Sequence, residues 1–246
     1  MKSIAVYSLK GGVGKTTLAV SLAWASATRS GRRTLLWDLD PQSAASFLLG
    51  ADGRGRDAQA VFARDVDART LIRPAAVPRL DLLPADISLR GLDHFLHGLG
   101  KKKRLAKLID QAAGDYDRVI LDTPPGLTET SEQVLRAADL IVVPVIPSPL
   151  SRRALEEVAA FLDRRKIRRG PILPVYSMVD RRRSLHRAAL EANPSWPAIP
   201  MASAFETMSA PGVGVGRLPP TSPAAIALFA LWTGIERRLT RPRKAD

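Results

Sequence analysis

The stretch that decides the fold is residues 10–17, which read Lys10-Gly11-Gly12-Val13-Gly14-Lys15-Thr16-Thr17. It follows a short apolar run, residues 4–8, that is typical of a buried strand. It precedes residues 18–28, which contain no Gly or Pro, as a helix requires. A glycine loop between a strand and a helix lets backbone N–H groups close around phosphate oxygens at the positive end of the helix. The stretch therefore predicts an α/β protein with a phosphate-binding loop.

The residue types within this loop predict separate contacts. We expect Lys15 to reach the β- and γ-phosphates of a nucleotide and the Thr16 hydroxyl to ligate Mg²⁺. The remaining nucleotide contacts are expected from Lys10, Gly11, Gly12, Val13, Gly14 and Thr17. The alternative is a glycine-rich turn that joins a strand to a helix without any ligand.

Three further segments accompany the loop. Residues 38–42 read Asp38-Leu39-Asp40-Pro41-Gln42, residues 121–125 read Leu121-Asp122-Thr123-Pro124-Pro125, and residues 178–182 read Met178-Val179-Asp180-Arg181-Arg182. With a lysine at the first position of the loop, these segments resemble in order and spacing the ParA/MinD family of deviant Walker A ATPases. The resemblance covers most of the chain and points to the small ParA-type partition ATPases. It implies ATP and Mg²⁺ as cofactors.

The first lysine of the loop has a specific meaning in that family. The resemblance implies that Lys10 crosses a dimer interface and touches the ATP of the partner, so that a homodimer exists while ATP is bound. Lys10 and Lys15 would then both contribute to catalysis. The alternative reading of Lys10 is a solvated loop charge.

Three aspartates are expected at the ends of predicted strands. Asp40 lies just past the strand that ends at Asp38, where a carboxylate can hold the attacking water in line, and the resemblance implies the same catalytic role. Asp38 would act nearer the metal, directly or through a water. Asp122 matches the Walker B aspartate and would orient Mg²⁺ through a bound water. An N-cap for a helix over residues 43–49 is the alternative for Asp40.

The nucleotide base is expected near Met178, Asp180 and Pro200, again from the resemblance. Two departures from the family pattern bear on the site. Residues 43–46 read Ser43-Ala44-Ala45-Ser46 where the family usually has an Asn, and Met201 follows Pro200 where the family has an arginine.

The charge predicts a polyanionic partner. The 246 residues include 37 Lys and Arg against 24 Asp and Glu, a net charge of +13. Such an excess favours nucleic acid or an anionic membrane surface, although arginines scattered over solvated faces would give the same number. The predicted contacts to non-specific DNA are Arg164, Arg165, Arg168, Arg169, Arg181, Arg182, Arg183 and Arg187.

Composition excludes several classes of site. The chain has no cysteine, which rules out disulfides, thiolate metal sites and cysteine nucleophiles. No apolar run reaches the roughly 18–20 residues that span a bilayer, and no secretory signal is visible. We therefore expect a cytoplasmic, nucleoid-associated protein.

Alternating apolar and helical segments predict one doubly wound, mostly parallel sheet flanked by helices. Strands are predicted near 3–8, 33–38, 79–84, 118–122, 139–144, 172–177 and 197–200. Helices are predicted near 16–29, 43–49, 86–98, 101–113, 128–138, 150–166, 184–192 and 222–239. The expected organisation is a single domain over residues 1–240 and a short basic tail over 241–246.

Three functions fit these observations. The first is a positioning or partition ATPase whose ATP-bound dimer coats DNA until a ParB-like or other activating partner triggers hydrolysis. The second is a MinD-like membrane-surface ATPase, or a cellulose-synthesis accessory ATPase, that uses the helix predicted over 222–239. The third is an ATP-dependent amidase or synthetase acting on a small carboxylate, against which Lys10 argues.

Overall fold

The computed structural model describes residues 1–51, 54–63, 66–100, 102–167, 170–203, 205 and 218–240. The strands are β1 (Lys2–Val6), β2 (Thr34–Asp38), β3 (Arg73–Pro74), β4 (Leu80–Leu83), β5 (Arg118–Asp122), β6 (Leu140–Val145), β7 (Ile172–Val179) and β8 (Ala198–Pro200). The helices are α1 (Lys15–Arg29), α2 (Ala44–Leu48), α3 (Ala60–Ala63), α4 (Ala68–Leu71), α5 (Leu92–Leu99), α6 (Arg104–Gln111), α7 (Glu129–Ala137), α8 (Pro149–Arg164), α9 (Ser184–Ala192) and α10 (Pro223–Thr240), with a 3-10 helix at Ile87–Gly91.

The strands form one sheet in the order β3-β4-β2-β5-β1-β6-β7-β8. All neighbouring pairs are parallel except β3 with β4. The connection after β1 leads to one side of the sheet and the connection after β6 leads to the other. The carboxyl ends of β1 and β6 therefore flank a topological switch point, which is where doubly wound sheets bind their ligands.

Alternating residues of each strand enter two hydrophobic layers, one on each face of the sheet. Ile4 and Val6 of β1 pack in the layer that contains α1 and α10. Ala5 and Tyr7 pack in the layer that contains α5, α6, α7 and α8. Because helices cover both faces, the middle residues of the central strands are apolar on both sides of the sheet. The predicted doubly wound fold is confirmed.

The C-terminal helix α10 is packed onto the sheet layer through its apolar face. Trp232 is 2% exposed and its indole Nε1 donates to Ser30 Oγ at 2.8 Å. Near the end of the helix, Glu236 accepts two hydrogen bonds from the Arg118 guanidinium, at 2.7 and 2.9 Å. This face, which the membrane alternative requires, is therefore buried against the body of the protein. Within the described residues, none of the helices has the length and apolar character to cross a bilayer.

Two differences from the predicted elements have local causes. The helix predicted over 86–98 is a 3-10 helix followed by α5, since Asp86 accepts from Ser88 N at 2.8 Å and caps the shorter element. The elements α3, α4 and β3 were not predicted because runs of two to four residues carry no readable periodicity. The tail over 241–246 lies outside the described residues, and the single-domain boundary at 240 stays a prediction.

Candidate functional site

The glycine loop joins β1 to α1 and leaves an open cradle. Gly12 and Gly14 have φ values of 70° and 84°, in the left-handed region that glycine adopts without strain. Gly14 occupies the cap position of α1, and no side chain caps the helix there. A Cβ atom on Gly11 or Gly12 would meet nothing within 4 Å. The free amides at the start of α1 therefore border an open space that fits a phosphate group.

Lys15 lies across this loop as a buried cation. Its side chain is 7% exposed, and Nζ donates to the Lys10 carbonyl oxygen at 3.3 Å. Burial lowers the pKa of the ammonium, and the nearby charges of Asp122 and Asp40 counteract part of that shift. A phosphate in the cradle would supply a strong counter-charge, so the predicted contact of Lys15 with a nucleotide fits its position.

The Lys10 side chain lies on the β6 side of the loop. It lines a small cavity together with Val145 and Leu155, next to the start of α8. Its backbone N donates to Ser8 Oγ at 3.2 Å. Among the residues that the structure describes, no carboxylate lies within 4.0 Å of its ammonium. The cation is therefore available for an anion from outside the chain.

Asp38 ends β2 and is held entirely by the protein. It is 0% exposed, and its Oδ2 accepts from Ser46 N at 2.9 Å and from Ser46 Oγ at 2.7 Å. Its Oδ1 accepts from Asp40 N at 3.0 Å. Burial raises the pKa of this carboxyl to about 6, against the effect of these hydrogen bonds. Asp38 thus fixes the turn that carries Asp40, and its predicted contact with the metal stays a prediction.

Asp122 ends the neighbouring strand β5 and has the opposite environment. It is the register partner of Asp38 and is also 0% exposed. Neither of its carboxylate oxygens accepts a hydrogen bond from any residue that the structure describes. Burial, followed by the charge of Asp38, raises its pKa to about 8, while the neighbouring Thr16 hydroxyl and Lys15 lower it.

A buried carboxylate without a donor fits a site for Mg²⁺ bound with a phosphate. Magnesium usually keeps several waters and is held by one or two protein oxygens together with substrate phosphates. Asp122 and Thr16 provide a carboxylate and a hydroxyl beside the glycine loop. Both residues were predicted for this purpose, and their placement agrees with that role.

Asp40 does not cap a helix. Helix α2 begins at Ala44 with Ser43 in the cap position, so the N-cap alternative is wrong. Instead, Asp40 Oδ1 accepts from Gln42 N at 2.9 Å and closes the turn just after β2. The side chain is half-buried on the same edge of the sheet as Lys15. Its predicted part in positioning water remains open to test.

Sequence reasoning missed two residues that organise the site. Ser46 donates to Asp38 through its hydroxyl and accepts from Ala85 N at 2.9 Å, so it links β2 to the end of β4. Tyr7 donates to the Gly126 carbonyl oxygen at 2.9 Å and holds the loop after Asp122 against β1. Both belong to segments that the motif patterns include, but only contacts distant in sequence show their roles.

The predicted base contacts divide into two groups. Met178 and Pro200 line an apolar cavity of about 160 Å³ beside the glycine loop, together with Met201. Ser177 also lines this cavity, and its buried hydroxyl has no partner among the described residues. Asp180 is not among the residues that line this cavity, and its carboxylate accepts from the Arg182 guanidinium at 2.9 and 3.0 Å. The cavity suits an aromatic base, and Asp180 is engaged in a surface ion pair.

The structure separates the predicted DNA-binding arginines. Arg164 and Arg165 lie at the end of α8, before the amino end of β7. Arg181, Arg182, Arg183 and Arg187 follow the carboxyl end of β7. The eight residues of β7 place the two sets about 26 Å apart on opposite edges of the sheet. They do not form one surface, and Arg168 and Arg169 lie outside the described residues.

Comparison with known proteins identifies the family of this chain. The family profile described as "AAA domain" matches residues 1–171. The chromosome partitioning protein ParA of Caulobacter vibrioides is 34% identical over 197 residues, which cover 75% of this chain and 72% of that protein. The chain belongs to the ParA/MinD family of P-loop ATPases.

Other relatives of this ParA-family protein agree. The sporulation initiation inhibitor protein Soj of Bacillus subtilis is 36% identical over 148 residues, 58% of each chain. The chain thus spans about three fifths of the length of Soj and of several other curated relatives. Among solved structures, a cobyrinic acid a,c-diamide synthase from Mycobacterium smegmatis with a bound ATP analogue and magnesium superposes with a TM-score of 0.80. It is 28% identical, with 99% of this chain and 97% of that chain covered.

Proposed function

We propose that this ParA-family protein is a switch ATPase that dimerises around ATP, binds DNA without sequence preference in that state and so positions DNA or another large cargo. The observation that carries the proposal is the phosphate cradle with a buried Lys15 and a buried Asp122 that has no donor. Burial disfavours the charged forms of both the Lys15 ammonium and the Asp122 carboxyl. A nucleotide and its metal would compensate both charges, so the two groups fit such a site. The name of the Caulobacter relative, chromosome partitioning protein ParA, supports the partition class.

The chemistry of the proposed reaction is charge neutralisation and positioning. The loop amides and Lys15 take up the charge that develops on the phosphate oxygens. Thr16 and Asp122 would hold Mg²⁺ beside the glycine loop, where the ion would supply further positive charge to the phosphates. Asp40 holds a water in line with the γ-phosphate, and Asp38 keeps the Asp40 backbone in place through its hydrogen bond at 3.0 Å.

The dimer is supported by features of the carboxyl edge of the sheet. Lys10 is an unpaired cation there among the described residues. Seven of the nine large apolar side chains exposed in the described part of the chain follow or lie near the carboxyl ends of strands. They are Phe47, Ile87, Leu127, Leu150, Met178, Leu185 and Met201. An apolar edge around a nucleotide site suits contact with a second copy.

Sizing by light scattering tests this interface. With ATP and Mg²⁺ we expect the wild type to dimerise and Lys10→Ala to remain monomeric, because the variant cannot reach the phosphate of the partner. Asp40→Ala should accumulate the dimer, because it binds ATP and does not hydrolyse it. Lys2→Ala removes a lysine at the opposite edge of the sheet and is the matched control. A Lys10→Ala protein that dimerises like wild type contradicts the proposal.

The ATP-bound dimer is proposed to bind DNA and so to lie on the nucleoid in the cytoplasm. A partner protein is proposed to stimulate its ATP hydrolysis. The net charge of +13 supports a polyanion. Binding to a random duplex should require ATP and should weaken steeply between two salt concentrations, since backbone contacts release counterions. Equal retention with ATP, ADP and no nucleotide would rule this model out.

Of the two other candidate functions, the membrane-surface role loses support from the structure, and the synthetase role needs a separate test. A membrane-surface role through α10 is disfavoured because Leu228, Leu231 and Ile235 of that helix are buried. A synthetase role is favoured by the likeness to the diamide synthase structure. Phosphate release that depends on a small carboxylate and on no macromolecule would identify it.

A further inference from the structure

Many basic side chains of this protein are already held by acidic neighbours. The ion pairs are Lys2–Asp139, Arg32–Glu236, Arg118–Glu236, Arg33–Asp117, Arg69–Asp115, Arg136–Glu132, Arg152–Glu156, Arg153–Glu157 and Arg182–Asp180. Lys102, Lys103 and Lys107 differ from these residues. In the part of the chain that the structure describes, no carboxylate lies within 4.0 Å of their ammonium groups.

These three lysines surround one cleft between α3 and the turn that joins α5 to α6. The cleft has a volume of about 550 Å³, and its other walls are Phe62, Ala63, Leu99 and Arg104. All three lysines are exposed, and no acidic side chain is among the lining residues that the structure describes. We refer to this feature as the lysine cleft.

The wall of the lysine cleft is rigidly built. Arg104 is 6% exposed, and its guanidinium donates to the carbonyl oxygens of Phe62 at 2.6 Å and Val61 at 3.2 Å. This contact ties the start of α6 to α3. The buried arginine is therefore structural, while the three lysines around it project their charges toward solvent.

The charges of α6 oppose its helix dipole. The positive end of a helix favours acidic side chains and its negative end favours basic ones. Helix α6 has no acidic residue in its first turn and no basic residue in its last, where Asp110 lies instead. Lys102, Lys103 and Arg104 crowd the positive end. This arrangement is unfavourable in the isolated protein and becomes favourable when an anion binds there.

The lysine cleft is also connected to the nucleotide site. Leu105 N, in the first turn of α6, donates to Gln133 Oε1 of α7 at 2.9 Å. Asp93 of α5 accepts from Thr130 N and Thr130 Oγ1 of α7 at 2.8 and 2.7 Å. Helix α7 begins shortly after the loop that follows Asp122. Helix α7 therefore contacts both α5 and the start of α6, and it follows the loop after Asp122.

We propose that the lysine cleft is a surface on which this protein binds the phosphodiester backbone of DNA. The proposal rests on the proposed function and places part of its DNA contact on α6, away from the arginines that the sequence singled out. Lysine binds phosphate as a compact point charge that needs no particular orientation, which suits contacts to a backbone without sequence preference. The positive end of α6, with three lysines that have no carboxylate within 4.0 Å among the described residues, therefore fits the closely spaced phosphates of a duplex.

The test compares two triple variants that remove the same charge. Lys102→Gln, Lys103→Gln and Lys107→Gln remove the three lysines of the cleft, and Arg164→Gln, Arg165→Gln and Lys166→Gln (the edge variant) remove three cations at the end of α8, before β7. Binding of a random duplex of about 40 base pairs is measured with ATP and Mg²⁺ over a range of salt. Each lost phosphate contact should reduce the slope of log K against log salt by about 0.9.

For the cleft variant we expect at least tenfold weaker DNA binding, a salt slope shallower by about two units or more, and an unchanged ATP-dependent dimer. Its melting temperature should equal or exceed that of the wild type, since three cations leave the positive end of α6. The edge variant should keep most of the affinity.

Two results would overturn the proposal. One is a cleft variant that binds DNA like the wild type while the wild type itself binds in the ATP state. The other is displacement of the duplex by poly-L-glutamate at equal charge as readily as by DNA. A wild type that does not bind DNA in any nucleotide state contradicts the proposed function instead, so the two failures are distinguishable.

Discussion

Asp38 and Asp122 end neighbouring strands, lie opposite each other in register and are both fully buried, but only one of them is satisfied by the protein. Asp38 accepts three hydrogen bonds from Ser46 and Asp40. Asp122 accepts none from the described residues. The difference shows that burial of a carboxylate in a motif does not define its role. The hydrogen-bond donors around it do.

An identical substitution at the two positions should have opposite effects on stability. Asp38→Ala leaves the buried Ser46 N and hydroxyl without their acceptor, and we expect the free energy of unfolding to fall by about 2 to 4 kcal/mol at pH 7. Asp122→Ala removes a carboxyl that accepts no hydrogen bond within 3.5 Å from the described residues and whose pKa is raised mainly by burial, so stability should stay equal or rise. Urea denaturation of the nucleotide-free proteins measures both. Equal losses of unfolding free energy in the two variants would contradict the distinction between a hydrogen-bonded Asp38 and an Asp122 without donors.

For ATP hydrolysis, in contrast to stability, we expect a substitution of Asp122 to have a large effect. Asp122→Asn keeps the shape of the side chain but weakens the outer contact to the metal, and we expect ATP hydrolysis to fall by about 10- to 100-fold. The measurement is steady-state phosphate release over a range of Mg²⁺ concentrations, with circular dichroism as the check on folding. If activity is retained at low Mg²⁺, Asp122 does not serve the metal site.

The pH dependence of stability separates the two carboxyls by a smaller effect. The pKa of Asp122 rises to about 8 in the folded protein, from an ordinary value near 3.8. Between these values the folded state holds the extra proton, so stability falls as pH rises, by about 1 kcal/mol per unit, and levels off above pH 8. Asp38, whose folded pKa is about 6, also lowers stability as pH rises, but its contribution levels off above about pH 6. Nucleotide-free Asp122→Asn should therefore have a flatter profile between pH 6 and 8 than the wild type, measured by urea denaturation at each pH.

Local patterns were sufficient for several features of the site. The strand, glycine loop and helix at residues 4–29 appear as predicted, and Thr128 caps α7 where a helix start was expected. These features depend on residues close together in sequence. The role of Asp40 as a helix cap was wrong, because that cap belongs to Ser43. The arginines predicted to contact DNA lie on both sides of β7, and their contacts with DNA stay a prediction.

The amino-acid sequence by itself determined the order of strands and helices, the phosphate cradle and the positions of its lysines and aspartates, because backbone propensity and glycine geometry act over a few residues. Only the tertiary structure decided which aspartate remains free and which cations remain unpaired. The donors to Asp38 are held in place by Ala85, which lies 39 residues from Ser46. The partners that neutralise Arg118 and Lys2 lie more than a hundred residues away. Folding brings such groups together, and no local pattern records it.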